Sequence, residues 1–260
     1  MKIAIIGAGD YGTALGGVLA EKGFDIDYYD KRLERESLTE VVDGAKFILL
    51  TVPSQAVPYV LPHLPKNIPL IVATKGVLSA HTFYEFEDYM VISGPGFAKD
   101  IKACKPTKLT VTDGRLIELF ETDYLTFDYT EDENGVLMCG ALKNVYAIEA
   151  GLLNLQRETA EWNEYIEKVC LEMKAILEAN DASPETVDLV CGVGDLKLTC
   201  GYPSRNYEFG DILRENPDYQ PEKTVEGVSA LKKIKRGDIV IPEEQTGILA
   251  KLIKQSDNWA

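Results

Sequence analysis

The first half of the chain alternates short, unbroken apolar runs with polar segments. Such runs are typical of strands that are covered on both faces of a parallel sheet. They predict strands at residues 3–6, 26–29, 47–52, 70–74, 91–93, 109–112 and 125–129. Residues 31–43 leave room for about one helix, and another is predicted at residues 115–120. Strands separated by helical or loop segments indicate an α/β fold with a mostly parallel sheet.

The pattern changes at about residue 132, where apolar residues begin to recur three and four positions apart. This spacing is typical of amphipathic helices and is clearest between Trp162 and Leu177. Ser183 and Pro184 predict the N-cap and first position of a further helix. Pro242 precedes the last predicted helix, whose inward positions are Ile248, Leu249, Leu252 and Ile253.

Directly after the first predicted strand, Gly7, Gly9 and Gly12 form a G-x-G-x-x-G turn. The first glycine permits a tight turn, the second admits a pyrophosphate close to the backbone, and the third lets the next helix pack on the strand. The amide end of that helix carries about half a positive charge, which suits a bound anion. We therefore predict a dinucleotide-binding domain at residues 1–130 and a helical substrate-binding domain at residues 131–260.

Asp30 ends the second predicted strand. An acid at this place accepts hydrogen bonds from the ribose hydroxyls of NAD and repels the 2′-phosphate of NADP. We therefore expect NAD to be the preferred cofactor. Lys31 and Arg32 follow, and these two cations either reach such a phosphate or form a solvated basic pair. NADP therefore stays possible.

Charge and composition narrow the classes of partner. The 260 residues contain 27 Lys and Arg against 42 Asp and Glu, a net charge of −15 that disfavours nucleic acid and anionic membranes. Five cysteines without a CxxC pair and only two histidines predict free thiols and no metal site. With no leader-like segment and no apolar run near the roughly 20 residues of a membrane helix, we expect a cytoplasmic protein. A homodimer is a fair expectation for this chain, because a two-fold dimer is the commonest oligomer.

The second half of the chain contains polar residues that helix periodicity alone does not require. Lys143 lies in an apolar segment, Asp195 and Thr199 follow glycines, and Arg205 and Asn206 come soon after. Each motif has a plain alternative, such as a solvated helix lysine or a loop with a surface arginine. If the substrate is a phosphate ester, however, local cations such as these must overcome the repulsion of an acidic chain.

Seven motifs occur here in one order: TVPS (51–54), ATKG (73–76), SGPGFA (93–98), GALKNV (140–145), GVGDLKLTC (192–200), SRN (204–206) and VEG (225–227). In this respect the chain resembles a short, divergent member of the NAD(P)-dependent glycerol-3-phosphate dehydrogenases over nearly its whole length. The resemblance implies a Rossmann-like sheet domain followed by an all-helical domain. It also implies reversible hydride transfer between NAD(P)H and dihydroxyacetone phosphate, giving sn-glycerol 3-phosphate for lipid or polyol-phosphate synthesis.

By the same resemblance, Lys143 is the proton donor and acceptor, and Lys75, Asp195 and Thr199 complete the polar network around it. A free lysine has a pKa of about 10.4, so burial and a second cation such as Lys75 must lower it. The implied substrate contacts are Lys75, Gly94, Gly96, Lys143, Asn144, Asp195, Ser204, Arg205 and Asn206. The implied cofactor contacts are Gly7, Gly9, Asp10, Tyr11, Gly12, Asp30, Lys31, Lys75, Ala98, Arg205, Thr224 and Glu226.

The chain also departs from the family pattern. Its segment 31–45 is short, Gly96 stands where a serine or threonine is usual, and Lys168 stands where an arginine is expected in an altered helix at 158–173. Two alternatives therefore stay open. One is an oxidoreductase of the same fold that acts on another small phosphorylated ketone or aldehyde, and the other is a non-catalytic NAD-binding module.

Overall fold

The structure, a computed structural model, describes residues 1–33, 37–222, 224–256 and 259. The chain forms two compact units. The first, which we call the sheet unit, comprises Met1–Thr74 and Ala80–Glu133, and the second, the helical unit, comprises Lys75–Ser79 and Asn134–Ala260. The short segment Lys75–Ser79 therefore belongs by its contacts to the helical unit, although it follows a strand of the sheet.

The sheet unit contains a seven-stranded sheet in the order β2-β1-β3-β4-β5-β6-β7. Its strands are β1 (Lys2–Ile6), β2 (Asp25–Tyr29), β3 (Phe47–Leu50), β4 (Leu70–Val72), β5 (Tyr89–Ser93), β6 (Thr107–Val111) and β7 (Leu125–Tyr129). All neighbouring pairs are parallel except β5 and β6, where Ile92 lies opposite Val111. The predicted mostly parallel α/β sheet is confirmed.

The described residues of this unit form five α-helices, α1 (Asp10–Glu21), α2 (Leu38–Val42), α3 (Val57–Val60), α4 (Ala98–Lys102) and α5 (Gly114–Phe120), with 3₁₀ turns at Leu61–His63 and Ala80–Phe83. Residues adjacent in the sequence cap the N-termini of two of these helices. Ser37 and Glu40 form a reciprocal capping box on α2, and the Asp113 side chain accepts the Arg115 N–H at 2.8 Å at the start of α5. The predicted helix within residues 31–43 is thus short, and residues 34–36 lie outside the described residues.

The turn after β1 lies where the strand order reverses, because β1 is flanked by β2 on one side and β3 on the other. Open α/β sheets bind ligands at such a point, beyond the carboxyl ends of the strands. Gly7 has a φ of +112°, and a Cβ on Gly12 would lie 2.1 Å from the Gly7 carbonyl oxygen. The tight approach of α1 to β1 therefore requires glycine at both positions.

The helical unit is built from α6 (Glu133–Leu152), α7 (Ala160–Glu178), α8 (Asp195–Thr199), α9 (Arg205–Glu215), α10 (Glu226–Lys235) and α11 (Gly247–Gln255). Two 3₁₀ helices, Pro184–Asp188 and Glu243–Gln245, and a π-helical turn, Val190–Gly194, complete it. The described residues after Tyr129 contain no strand, as the periodicity predicts. None of the described helices is long and apolar enough to cross a bilayer.

Helix α6 is buried on all sides over residues 135–151, and the other helices pack around it. A Cβ on Gly151 would lie 2.1 Å from the Tyr207 carbonyl oxygen, so the backbones of α6 and α9 are in direct contact. Helix α7 begins at its N-cap Thr159, which accepts the Trp162 N–H, and buries the predicted apolar face. The Tyr165 hydroxyl donates to the Tyr146 carbonyl oxygen at 2.6 Å and ties α7 to α6.

A helix follows Ser183 as predicted, with Ser183 at the N-cap position and Pro184 at its start, although the Ser183 side chain makes no cap hydrogen bond. Pro184–Asp188 is a single 3₁₀ helix, and the Ser183 hydroxyl donates to the Glu185 carboxylate at 2.6 Å. The helix predicted after Pro242 is present, but it begins at Gly247, behind a 3₁₀ turn. Buried Glu172 on α7 accepts hydrogen bonds from the N–H groups of Ile248 and Leu249 in the first turn of this helix, at 2.6 and 3.1 Å, a tertiary cap that local sequence does not reveal.

Replacement of Gly12 by alanine tests the turn after β1. Its Cβ would lie 2.1 Å from the Gly7 carbonyl oxygen and 2.5 Å from Thr51 Oγ1, so we expect Gly12→Ala to reduce the free energy of unfolding by about 1–3 kcal/mol. Gly17→Ala in the same helix is the control, because nothing lies within 4 Å of its Cβ position. Alanine there should stabilise by up to about 1 kcal/mol. Equal effects of the two substitutions in urea unfolding would contradict this account.

Candidate active site

A buried carboxylate, Asp195, joins two lysines in the helical unit. Lys143 Nζ lies 2.6 Å from Asp195 Oδ1, and Lys75 Nζ lies 3.0 Å from Asp195 Oδ2. Lys143 also donates to Thr199 Oγ1 at 3.0 Å, and the Thr199 hydroxyl donates in turn to the Asp195 carbonyl oxygen at 2.6 Å. All four predicted catalytic residues are therefore in one hydrogen-bonded cluster, which we call the lysine cluster.

Three segments position the lysine cluster. Lys143 projects from the buried helix α6, Lys75 from the segment Lys75–Ser79, and Asp195 and Thr199 from opposite ends of α8. The π-helical turn Val190–Gly194 runs directly into α8 and sets the place of Asp195. Only in the folded helical unit do these groups meet, since 120 residues separate Lys75 from Asp195.

The lysine cluster contains two cations and one anion, and its charges are largely removed from water. Lys143 is 4% exposed and Asp195 is 1% exposed. Burial lowers the pKa of Lys143 to about 8, because the ammonium loses its hydration and the charge of Lys75 adds to this effect, while Asp195 opposes both. Lys143 can therefore give up or accept a proton near neutral pH.

Asn144, the residue after Lys143, belongs to a second chain of hydrogen bonds. Asn206 Nδ2 donates to Asn144 Oδ1 at 2.9 Å, and Asn206 Oδ1 accepts the Gly227 N–H at 2.9 Å. Ser204 is the N-cap of α9. Exposed Arg205 begins that helix, and its Nη1 lies 3.5 Å from the Thr224 carbonyl oxygen. Arg205 and Thr224, with Glu226 at the start of α10, thus lie in the helical unit.

The predicted cofactor turn lies in the sheet unit, and its shape fits a pyrophosphate. Gly9 is the N-cap of α1 without a side-chain cap, and nothing lies within 4 Å of its Cβ position. The first N–H groups of α1 therefore face space that a phosphate oxygen can enter. Asp10 and Tyr11 form the first turn of α1, and Ala98 begins α4 and packs against the core of the sheet unit.

Asp30 is bound by Arg32. The guanidinium donates through Nε and Nη2 to the two carboxylate oxygens at 2.8 and 2.6 Å, and the Ala8 N–H donates at 3.1 Å. These bonds, first of all those from the Arg32 side chain, lower the pKa of Asp30 to about 2. The acid is therefore ionised and neutralised by a neighbour, whereas Lys31 is exposed.

Gly94 and Gly96 follow β5 in the sheet unit. Gly94 has a φ of +140°, and the Gly96 N–H donates to the Gly94 carbonyl oxygen at 2.9 Å. A Cβ on Gly96 would lie 3.2 Å from Leu109 Cδ2, so an apolar wall lies beside this position. Lys168 points elsewhere: it is exposed on α7 and pairs with Glu164 at 2.7 Å, outside the lysine cluster.

Three residues that support the lysine cluster were missed by the sequence reasoning. The Arg157 guanidinium donates to the Leu198 and Gly201 carbonyl oxygens, and Trp162 Nε1 donates to the Cys200 carbonyl oxygen at 2.7 Å, so both hold the end of α8. Lys233 donates to the Gly76 carbonyl oxygen at 3.0 Å beside Lys75. No spacing signals these contacts, because each joins segments far apart in the chain.

Two family models match the chain. The model of the NAD-dependent glycerol-3-phosphate dehydrogenase N-terminus matches residues 33–115, and that of the C-terminus matches residues 132–242. A glycerol-3-phosphate dehydrogenase [NAD(P)+] of Desulfotalea psychrophila is 31% identical over 80% of this chain and 77% of its own length. The chain belongs to the NAD-dependent glycerol-3-phosphate dehydrogenase family. The enzyme of the same name from Maridesulfovibrio salexigens is 30% identical over 96% of this chain and 94% of its own length.

Solved structures of glycerol-3-phosphate dehydrogenases share the fold. The structure from Coxiella burnetii has a TM-score of 0.81 at 24% identity and covers 99% of this chain and 95% of its own. That from Plasmodium falciparum has a TM-score of 0.80 at 18% identity and covers 99% and 91%. At these identities the likeness concerns the fold, a Rossmann-like sheet followed by helices.

The variant Lys75→Met tests the electrostatics of the lysine cluster. The Lys75 charge lowers the pKa of Lys143, so its removal should raise that pKa above its value of about 8. The measurement is an NMR titration of protein carrying ¹³Cε-labelled lysine, with the Lys143 signal assigned by Lys143→Arg. Lys168→Met, which removes an exposed lysine of the helical unit, should leave the Lys143 titration unchanged. A pKa that stays or falls in Lys75→Met would show that Lys75 does not act on Lys143.

Proposed function

We propose that this chain transfers a hydride reversibly between NAD(P)H and dihydroxyacetone phosphate, giving sn-glycerol 3-phosphate. Membership of the dehydrogenase family supports the reaction and the use of NAD or NADP. The observation that carries the proposal within this chain is buried Lys143, which is hydrogen-bonded to Asp195 and Thr199 and whose pKa is lowered by burial to about 8.

Ketone reduction needs a proton on the carbonyl oxygen while a hydride reaches the carbonyl carbon. The nicotinamide cofactor supplies that hydride when bound. The Lys143 ammonium donates the proton, and Asp195 and Thr199 hold its Nζ in place. In the reverse direction the neutral amine of Lys143 accepts the proton of the alcohol. The Asp195 carboxylate also pairs with both lysines and so compensates the repulsion between their two charges.

Arg205 and Asn206 are proposed to bind the substrate phosphate. Arginine offers a planar fork that bonds two phosphate oxygens at once, and the Arg205 side chain is exposed. Asn206 is fixed by Asn144 and Gly227, and its Nδ2 has a second hydrogen to donate. The two cations and one anion of the lysine cluster leave a local excess of positive charge, which opposes the repulsion of an anionic substrate by the net charge of −15.

For the cofactor, we propose that the amides of the Gly7–Gly12 turn bind the pyrophosphate, as the open N-terminus of α1 supports. NAD remains the preferred cofactor in this proposal, because Asp30 is ionised at the end of β2. Arg32 weakens the repulsion of a 2′-phosphate by that carboxylate, so NADP is accepted as well. The other predicted contacts of cofactor and substrate stay predictions, as do the domain boundary at residue 130, a cytoplasmic location and a homodimer.

A second candidate is an oxidoreductase with another small phosphorylated ketone or aldehyde as substrate, favoured by Gly96. Beside an apolar wall, this position lacks the hydroxyl that is usual in the family. A panel of phosphorylated ketones and aldehydes compared by kcat/KM separates the two. A purely cofactor-binding module gains nothing from the lysine cluster, since its buried charges are costly to maintain.

Lys143 gives the sharpest test of the mechanism. Loss of a general acid lowers kcat by about 10²–10⁴-fold, so Lys143→Ala should do so while NADH still binds. In the wild type, reduction should decline as the pH rises through about 8 and the ammonium deprotonates, whereas alcohol oxidation should rise over the same range. Lys168→Ala should change neither rate nor profile. Turnover by Lys143→Ala near the wild-type rate would refute the role given to Lys143.

The variant Arg32→Ala tests the choice between NAD and NADP by cofactor binding, without an activity assay. In Arg32→Ala the Asp30 carboxylate loses its compensating charge, so it repels a 2′-phosphate more strongly and accepts ribose hydroxyls more freely. We expect the ratio of the NADPH to the NADH dissociation constant to rise by about tenfold or more in calorimetry. Arg236→Ala, an exposed arginine of the helical unit, should leave the ratio unchanged. An unchanged ratio in Arg32→Ala would show that Arg32 does not influence the choice.

A further inference from the structure

The helical unit contains a cavity of about 350 Å³ between α6, α9, α11 and the C-terminal Trp259. Glu149, Leu152, Leu213, Arg214, Lys251 and Trp259 are among its lining residues. The volume lies within the roughly 300–1,000 Å³ of small-molecule sites, which combine apolar walls with a few convergent polar groups. Glu149 lies six residues after Lys143 on α6, about 9 Å along and about 120° around the helix, so the cavity meets a different face of α6.

Glu149 is the unusual group of this cavity. It is 3% exposed on a helix whose neighbouring residues are apolar. Its Oε1 accepts from Lys251 Nζ at 3.0 Å, but its Oε2 has no hydrogen-bond partner among the described residues. A buried oxygen without a partner costs stability, and the described residues supply no donor to this one, so a donor from a ligand would stabilise the carboxylate.

The two cations of the cavity, Lys251 and Arg214, have more N–H donors than their bonds to acidic side chains use. An ammonium has three N–H groups, and Lys251 uses one of them in its bond to Glu149. The Lys251 side chain is 53% exposed, so it can donate to a ligand as well. A guanidinium has five, and the bonds of Arg214 to Asp211 and Glu215, both at 3.0 Å, use only its Nη2. Leu152, Leu213 and Trp259 add apolar surface. The cavity thus combines an acceptor, an excess of cationic donors and apolar walls.

We propose that this cavity binds a small zwitterion with an apolar body, of the free α-amino acid class. The ammonium of the ligand donates to Glu149, its carboxylate accepts from Arg214 and Lys251, and its side chain packs on the leucines and Trp259. The last torsion of a glutamate is soft, so one oxygen can turn to the ligand while the other keeps Lys251. This proposal is independent of the proposed reaction.

L-Leucine is the probe, compared with 4-methylpentanoate, which lacks the ammonium, and 3-methylbutylamine, which lacks the carboxylate. We expect saturable calorimetric binding of L-leucine with a dissociation constant of about 1 mM or less, and binding at least about tenfold weaker for each analogue. Trp259 should report the event by a change in fluorescence. Trp259→Phe should abolish that change and retain calorimetric binding, which places the ligand beside residue 259.

Glu149→Gln keeps the shape of the side chain and removes its charge, and it should weaken L-leucine binding by about tenfold or more. Arg214→Ala, at an accessible position, should do the same and decides the matter if Glu149→Gln does not fold. Glu164→Gln, an exposed glutamate of the same unit, is the matched control and should bind as the wild type does. Absence of saturable binding, equal binding of all three probes, or undiminished binding by folded variants of Glu149 and Arg214 would overturn the proposal.

Discussion

The helical unit depends on one shared carboxylate. Asp195 places its two oxygens against two different lysines, at 2.6 and 3.0 Å, and it is almost completely buried. A buried charge is tolerated only when it is paired and hydrogen-bonded, so the Asp195 carboxylate on α8 is compensated only when α6 and the segment Lys75–Ser79 are packed against it. The same contact fixes the positions of the groups that carry the proposed chemistry.

The balance of charge within this contact supports the role proposed for Lys143. One anion between two cations leaves a local excess of positive charge in a chain of net charge −15. Burial makes the ammonium of Lys143 costly, and the second lysine adds to that cost, so the proton is held loosely enough to be given to a substrate. A solvated lysine on a helix surface, the plain alternative at this position, has neither property.

The sheet unit depends on a different constraint, the close approach of backbone at the turn after β1. Gly7 and Gly12 permit that approach, and the reversal of strand order makes this turn the edge of a ligand crevice. Arg32 adds a local charge balance of its own, because it neutralises the acid that ends β2. Both units thus contain paired opposite charges beside the residues that are proposed to bind an anionic ligand.

The sequence by itself determined the strands, the change to helices and the glycine turn, because period and local motif are properties of short segments, and the resemblance of its motifs to a known family named the residues of the lysine cluster. The tertiary structure decided the antiparallel step between β5 and β6, the cap that Glu172 places on α11, the pairing of Asp30 with Arg32, and the support from Arg157 and Trp162. Except for Asp30 and Arg32, these features join residues distant in the chain, whose meeting depends on packing. Asp30 and Arg32 are neighbours, but whether an exposed arginine turns to the acid or to solvent depends on how the backbone turns after β2.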